Sequence, residues 1–203
     1  MRTDNRRGGL TAAISALPLL LLLAAPALAG PLADAATKAE ALAASGDTLG
    51  AHDLLRSATG AFSSTLPFSI GKAVFVGVPP VGYAMYEPKP QPIFKPGEAL
   101  VSYVEPIGLT WTPAAAGKVQ THFTVDLDIL SASGEVLANQ KAFGDFTFTS
   151  FFRNQEIYAT LTTDVSGAAA GDYVLRFHFN DLNSGKSASV DQKFTIAAMS
   201  PTP

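Results

Sequence analysis

From Val119 to Leu130 apolar and polar residues alternate without interruption, and this run constrains the fold more than any other stretch of the chain. Val119, Thr121, Phe123, Val125, Leu127 and Ile129 share one side; Gln120, His122, Thr124, Asp126 and Asp128 share the other. Successive strand residues point to opposite faces, so the run is a strand with one dry side and one wet side. Ser133-Gly134 then turns the chain into a strand over 136–143, and Gly144-Asp145 reads as a second turn before a short strand at 146–148. Further strands are expected at 73–78, 99–105, 157–163, 173–180 and 187–196. Short strands at this spacing, separated by turn residues, predict an antiparallel sandwich.

The ends of the chain are of other kinds. Arg2, Arg6 and Arg7 precede an apolar run from Leu10 to Leu23, and Ala27-Leu28-Ala29 has the small-x-small form that a signal peptidase cuts. Residues 1–29 therefore read as a cleaved signal peptide, with general secretion as the default route. Ser15, Pro18 and Pro26 interrupt the apolar run, which argues against a retained anchor. Three of the 14 basic residues and one of the 17 acidic ones precede Gly30, leaving 11 against 16, a net charge of −5. That balance argues against nucleic acid and anionic membrane surfaces as partners. With 0 cysteines, a chain exported to the periplasm or secreted must be held by core packing rather than disulfides.

Residues 30–66 carry helical spacing in two alanine-rich runs, 34–44 and 48–58, broken at Ser45-Gly46-Asp47. Asp34 suits the N-cap of the first, and the pair is expected to pack against the β domain. Residues 67–97 form an apolar strand and then an extended connector, because Pro79, Pro80, Pro88, Pro90, Pro92 and Pro96 forbid helix and regular pairing. The β domain occupies 98–197, and 198–203 read as a disordered tail.

The end of the β region carries a resemblance. Gly171-Asp172-Tyr173-Val-Leu-Arg-Phe177, Asn183-Ser184-Gly185-Lys186 and Phe194-Thr-Ile196 resemble the last two strands of bacterial immunoglobulin-like and fibronectin type III-like domains. Pro96-Gly97-Glu98 leading into Ala99–Glu105 resembles their first strand. The resemblance implies that Tyr173 pins a corner through its hydroxyl and that Gly185 supplies a positive φ in the hairpin turn. The Cys and core Trp of antibody-type domains are missing. The implied fold is mainly β, an antiparallel immunoglobulin-like sandwich of seven or eight strands preceded by a short α-helical hairpin. Such folds carry many functions, so the resemblance assigns no catalytic residue.

Chemistry-bearing residues are sparse. His122 and His178 both fall on polar strand faces, where a surface metal site would need ligand spacing the chain lacks. Asp126 and Asp128 share a strand face without a loop to wrap an ion, and no serine sits in a Gly-x-Ser-x-Gly elbow. No catalytic residue, cofactor or metal is expected. Aromatics supply the better signal: Phe143, Phe146, Phe148, Phe151 and Phe152 fall within ten residues, and Trp111 is the only tryptophan. The phenylalanines serve either packing between sheets or an apolar contact patch. Trp111 beside Tyr103 suits either an exposed binding loop or a plug for one end of the core.

The expected binding residues are Trp111, Tyr103, Phe151 and Phe152. The expected function is a non-enzymatic interaction module of the bacterial envelope that contacts a protein or glycan. The alternatives are a periplasmic carrier of a small apolar ligand and a hydrolase.

Overall fold

The computed structural model describes residues 30–199, so the expected signal peptide, 1–29, and residues 200–203 of the expected tail lie outside the described residues. Two helices come first, α1 over Pro31–Ala44 and α2 over Thr48–Ser63. Asp34 is not the N-cap; α1 starts at Pro31, with Gly30 capping it. Proline has no N–H to leave unpaired and its φ is already helical, so it suits the first helical position. Asp34 then sits in the first turn, where the helix dipole favours an acid. Asp47 caps α2, accepting from the Gly50 N–H at 2.9 Å.

Nine strands come after the helices: β1 (Ser69–Val76), β2 (Ile93–Phe94), β3 (Leu100–Ile107), β4 (Thr112–Pro113), β5 (Val119–Ser131), β6 (Val136–Ser150), β7 (Ala159–Thr163), β8 (Gly171–Asp181) and β9 (Ser187–Ile196). One sheet has the order β1-β3-β7; the other runs β2-β9-β8-β5, with β4 and β6 also paired to β5. Apolar side chains from both sheets enter one buried cluster, Leu100, Val104 and Leu161 from the first meeting Phe123, Phe177 and Phe194 from the second.

The alternation of β5 survives in space. Thr121, Phe123, Val125 and Leu127 are buried, their neighbours are not, and the phase slips only at Leu130, where the ladder with β6 shifts register. Two strand expectations are corrected. Gly144-Asp145 is no turn: β6 continues through it, because β5 offers an unbroken partner and a bulge at Ala142, φ 48°, absorbs the mismatch. The pairing is not antiparallel throughout either, since β2 runs parallel to β9. Prolines flank β2 and lack the donors of a central strand, so the segment serves as a two-residue edge staple. Its bonds run from the Thr195 N–H to the Pro92 carbonyl at 2.9 Å and from the Ala197 N–H to the Phe94 carbonyl at 2.8 Å.

Helix and strand regions touch over little area. Only Ala39, Ala51 and Gly60 of the helices are buried, and Leu49, Leu55 and Phe62 remain exposed. No helix among the described residues is long and apolar enough to cross a membrane.

Candidate functional site

The last two phenylalanines of the aromatic run stand where α2 meets the β structure. The Ser150 hydroxyl donates to the Phe152 carbonyl, which folds the chain sharply at the end of β6 and drives Phe151 outward. Phe151 is 65% exposed, with Lys118 Nζ 5.3 Å from its ring centroid. Phe152 is half-buried, and the Arg56 guanidinium carbon stands 3.4 Å from its centroid. Arg56 also donates to Asp53 Oδ1 at 2.9 Å, so its plane is fixed on two sides. One helical turn later, Gly60 packs on the loop: a Cβ added there would lie 2.9 Å from the Arg153 carbonyl oxygen.

These contacts frame a cleft of about 500 Å³ between His52, Leu55, Arg56 and Thr59 of α2 and the loop residues 153–156. Asn154 and Gln155 also line a narrower crevice of about 40 Å³ that reaches Tyr83 and Trp111. Burial, and next the Glu105 carboxylate, raise the Tyr83 hydroxyl above its ordinary pKa, so it stays protonated. The groups left to recognise a ligand are two guanidiniums, two amides and the Glu156 carboxylate. Thr59 spends its hydroxyl on the Leu55 carbonyl at 2.9 Å, and His52 Nδ1 lies 3.2 Å from Asp53. Directional binding is within the reach of such a set.

The four expected binding residues divide. Phe152 borders the cleft through its contact with Arg56, whereas Phe151 is exposed beside Lys118 and does not line the cleft. Trp111 is 8% exposed and belongs to the core, so of its two readings the core plug holds and the exposed loop is corrected. The reason lies far along the chain: buried Asp181 accepts from the Thr110 N–H at 3.0 Å, and the Asn183 amide donates to the Thr110 carbonyl at 2.9 Å. A backbone pinned from below turns the indole inward. Tyr103 is also corrected as a surface residue, being 0% exposed. Its ring stacks with Tyr86 at 4.3 Å and Tyr158 at 5.2 Å, and its hydroxyl accepts from the Ala84 N–H and donates to Glu105 Oε1, both at 2.8 Å. The proline-rich segment thereby covers the outer face of β3.

Phe143, Phe146 and Phe148 pack against the core, Phe146 stacking on Phe123 at 5.1 Å and Phe143 on Phe177 at 6.2 Å. His122 and His178 do not meet. His122 Nε2 lies 2.7 Å from Asp145, whereas His178 contacts Asp128 at 2.9 Å and Ser189 at 2.8 Å. His178 stands opposite Asp126, four residues along β5 from His122, which is roughly 13 Å at the rise of a strand. Among the described residues no group of three or more His, Asp or Glu is arranged to hold a metal.

Arg56, Arg153, Asn154 and Gln155 were not singled out from the sequence. Nothing in their spacing links a helix to a loop so far along the chain. No family model matches the chain. No curated protein matches it in sequence.

Proposed function

We propose that the chain is an exported, non-enzymatic binding module of the bacterial envelope, in which an immunoglobulin-like β-sandwich and a helical hairpin present a ligand cleft at their junction. One observation carries this reading: residues 153–156 and α2 bring two arginines, two amides and a carboxylate to one concave site, with Phe152 backing Arg56. Sites of this kind join apolar surface to a few convergent polar groups. The immunoglobulin-like assignment draws support from Tyr173, whose hydroxyl donates to the Ala169 carbonyl at 2.9 Å as a corner pin would. Gly185 has the positive φ expected of it, 72°.

The test is capture followed by chemical analysis. A photo-crosslinking residue at Thr59, on the wall of the cleft, should trap a glycan or protein from native envelopes, and the captured molecule should be recovered unaltered. Loss of capture in Phe152→Ala would tie it to the cleft. Turnover of the captured molecule, or capture indifferent to Phe152, would defeat the reading.

A second reading rests on a recess of about 470 Å³ walled by Pro31, Leu32, Ala58, Ala61 and Phe62. Its apolar walls suit a carrier of a small apolar ligand. Such a carrier would bind a lipophilic dye, and Phe62→Arg would abolish that binding.

A further inference from the structure

We infer that the cleft between α2 and residues 153–156 takes an acidic sugar, with its carboxylate seated on Arg153 and Arg56. The inference rests on the proposed binding role and narrows it to a ligand class. Arg153 is held by its backbone, not by its charge. Its carbonyl accepts from Gln155 Nε2 at 2.9 Å and faces Gly60, whereas its guanidinium makes no hydrogen bond or ion pair among the described residues.

Arg56 is oriented already. Phe152 supports its flat face and Asp53 engages Nη2, which leaves most of its five N–H donors for a ligand. Two guanidiniums on the walls of one cleft match the planar, two-oxygen geometry of a carboxylate. Two arginines on one cleft stand out where acids outnumber bases 16 to 11 over residues 30–203.

The remaining wall narrows the class. Glu156 repels a second negative charge, which disfavours phosphate and sulfate, but it accepts readily from a hydroxyl. Asn154 and Gln155 each offer both a donor and an acceptor, the pairing that vicinal sugar hydroxyls require. A volume of about 500 Å³ lies within the range of small-ligand sites, about 300–1,000 Å³.

Calorimetric titration of the purified chain tests this, using a glucuronate- or galacturonate-containing disaccharide, the neutral disaccharide, N-acetylglutamate and inorganic phosphate. An acidic disaccharide should bind at least tenfold more tightly than each of the other three. Arg153→Gln should weaken it tenfold or more with an unchanged melting temperature, Arg153→Lys should fall between, and Glu156→Gln should let phosphate in. Equal binding of the neutral sugar, of phosphate or of N-acetylglutamate would overturn the inference, as would full affinity in Arg153→Gln. If no acidic sugar binds while a probe at Thr59 still captures an unaltered partner, the ligand class falls and the binding role stands. If neither occurs, both fall.

Discussion

The Arg56 guanidinium of α2 stacks on Phe152, after β6, and so ties the helical hairpin to the β structure, with 3.4 Å from guanidinium carbon to ring centroid. Since only Ala39, Ala51 and Gly60 of the helices are buried, this pair and the Gly60 contact carry much of the docking. A double-mutant cycle with Arg56→Ala and Phe152→Ala should give a coupling of about 0.5–1 kcal/mol, the range for a solvent-exposed cation over a ring. Amide exchange should quicken in α2 and stay unchanged in β5 and β8. Equal loss of protection in both regions would contradict the two-part docking.

The parts of this arrangement that were legible in the sequence are those set by local chemistry. The alternation of 119–129 placed Phe123 and Val125 in the core because period two maps directly onto the two faces of a strand. Strand β9 was readable from its β-branched and apolar residues, and the Gly185 turn from the resemblance of the last hairpin. The hidden parts depend on partners distant in the chain. Gly144-Asp145 has turn composition, yet it lies inside β6 because β5 continues opposite it. Trp111 is drawn inward by Asp181, and the cleft exists because Gly60 admits the Arg153 backbone. No local signal encodes either encounter.

Tyr103 joins β3 to the proline-rich segment through one hydroxyl that accepts from Ala84 and donates to Glu105. Ala84 has φ 56°, a left-handed conformation unfavourable for alanine, so this bond helps hold a reluctant backbone. Tyr103→Phe keeps the stacking and strands an N–H, at a cost of about 1–3 kcal/mol. Urea titration should show a lower midpoint with an unchanged slope, and proteolysis should begin near Ala84. A wild-type midpoint would mean that water replaces the hydroxyl freely.

Asp126 braces the β6 bulge, accepting from Lys141 Nζ and from the Ala142 N–H, each at 2.9 Å. The Lys141 bond, and further the Ala142 bond, hold its carboxyl below the ordinary carboxylate pKa despite partial burial. Asp191 is lowered by Arg176 and Glu98 by Lys89 in the same way. Groups depressed on folding stabilise the protein above their unfolded pKa values, near 4, and lose that contribution as pH falls through the folded values. Lys141 is raised by Asp126, so its share is lost only as pH climbs through its elevated value, above about 10.4. The melting temperature should thus decline below about pH 4, and Asp126→Asn should lower it at pH 7 while flattening both the acid and the alkaline limbs. An unaltered acid limb in that variant would exclude Asp126 as a contributor.

Asp181 is 0% exposed at the end of β8 and gathers three donors: the Thr110 N–H at 3.0 Å, the Asn183 N–H at 3.0 Å and the Ser184 hydroxyl at 2.8 Å. It joins the last hairpin to the loop that carries Trp111. Replacing it with alanine leaves these donors without an acceptor, and at about 1–3 kcal/mol for each unsatisfied buried group the loss should reach several kcal/mol. Because Trp111 is the sole tryptophan, its emission reports the loop without a label. Asp181→Ala should shift that emission to the red and admit a collisional quencher, since a freed Thr110 backbone no longer turns the indole inward. Asp181→Asn, which retains one carbonyl acceptor, should lie between. If emission stays at the wild-type wavelength while stability falls, the core alone holds Trp111 in place, and the carboxylate serves only the β8–β9 turn.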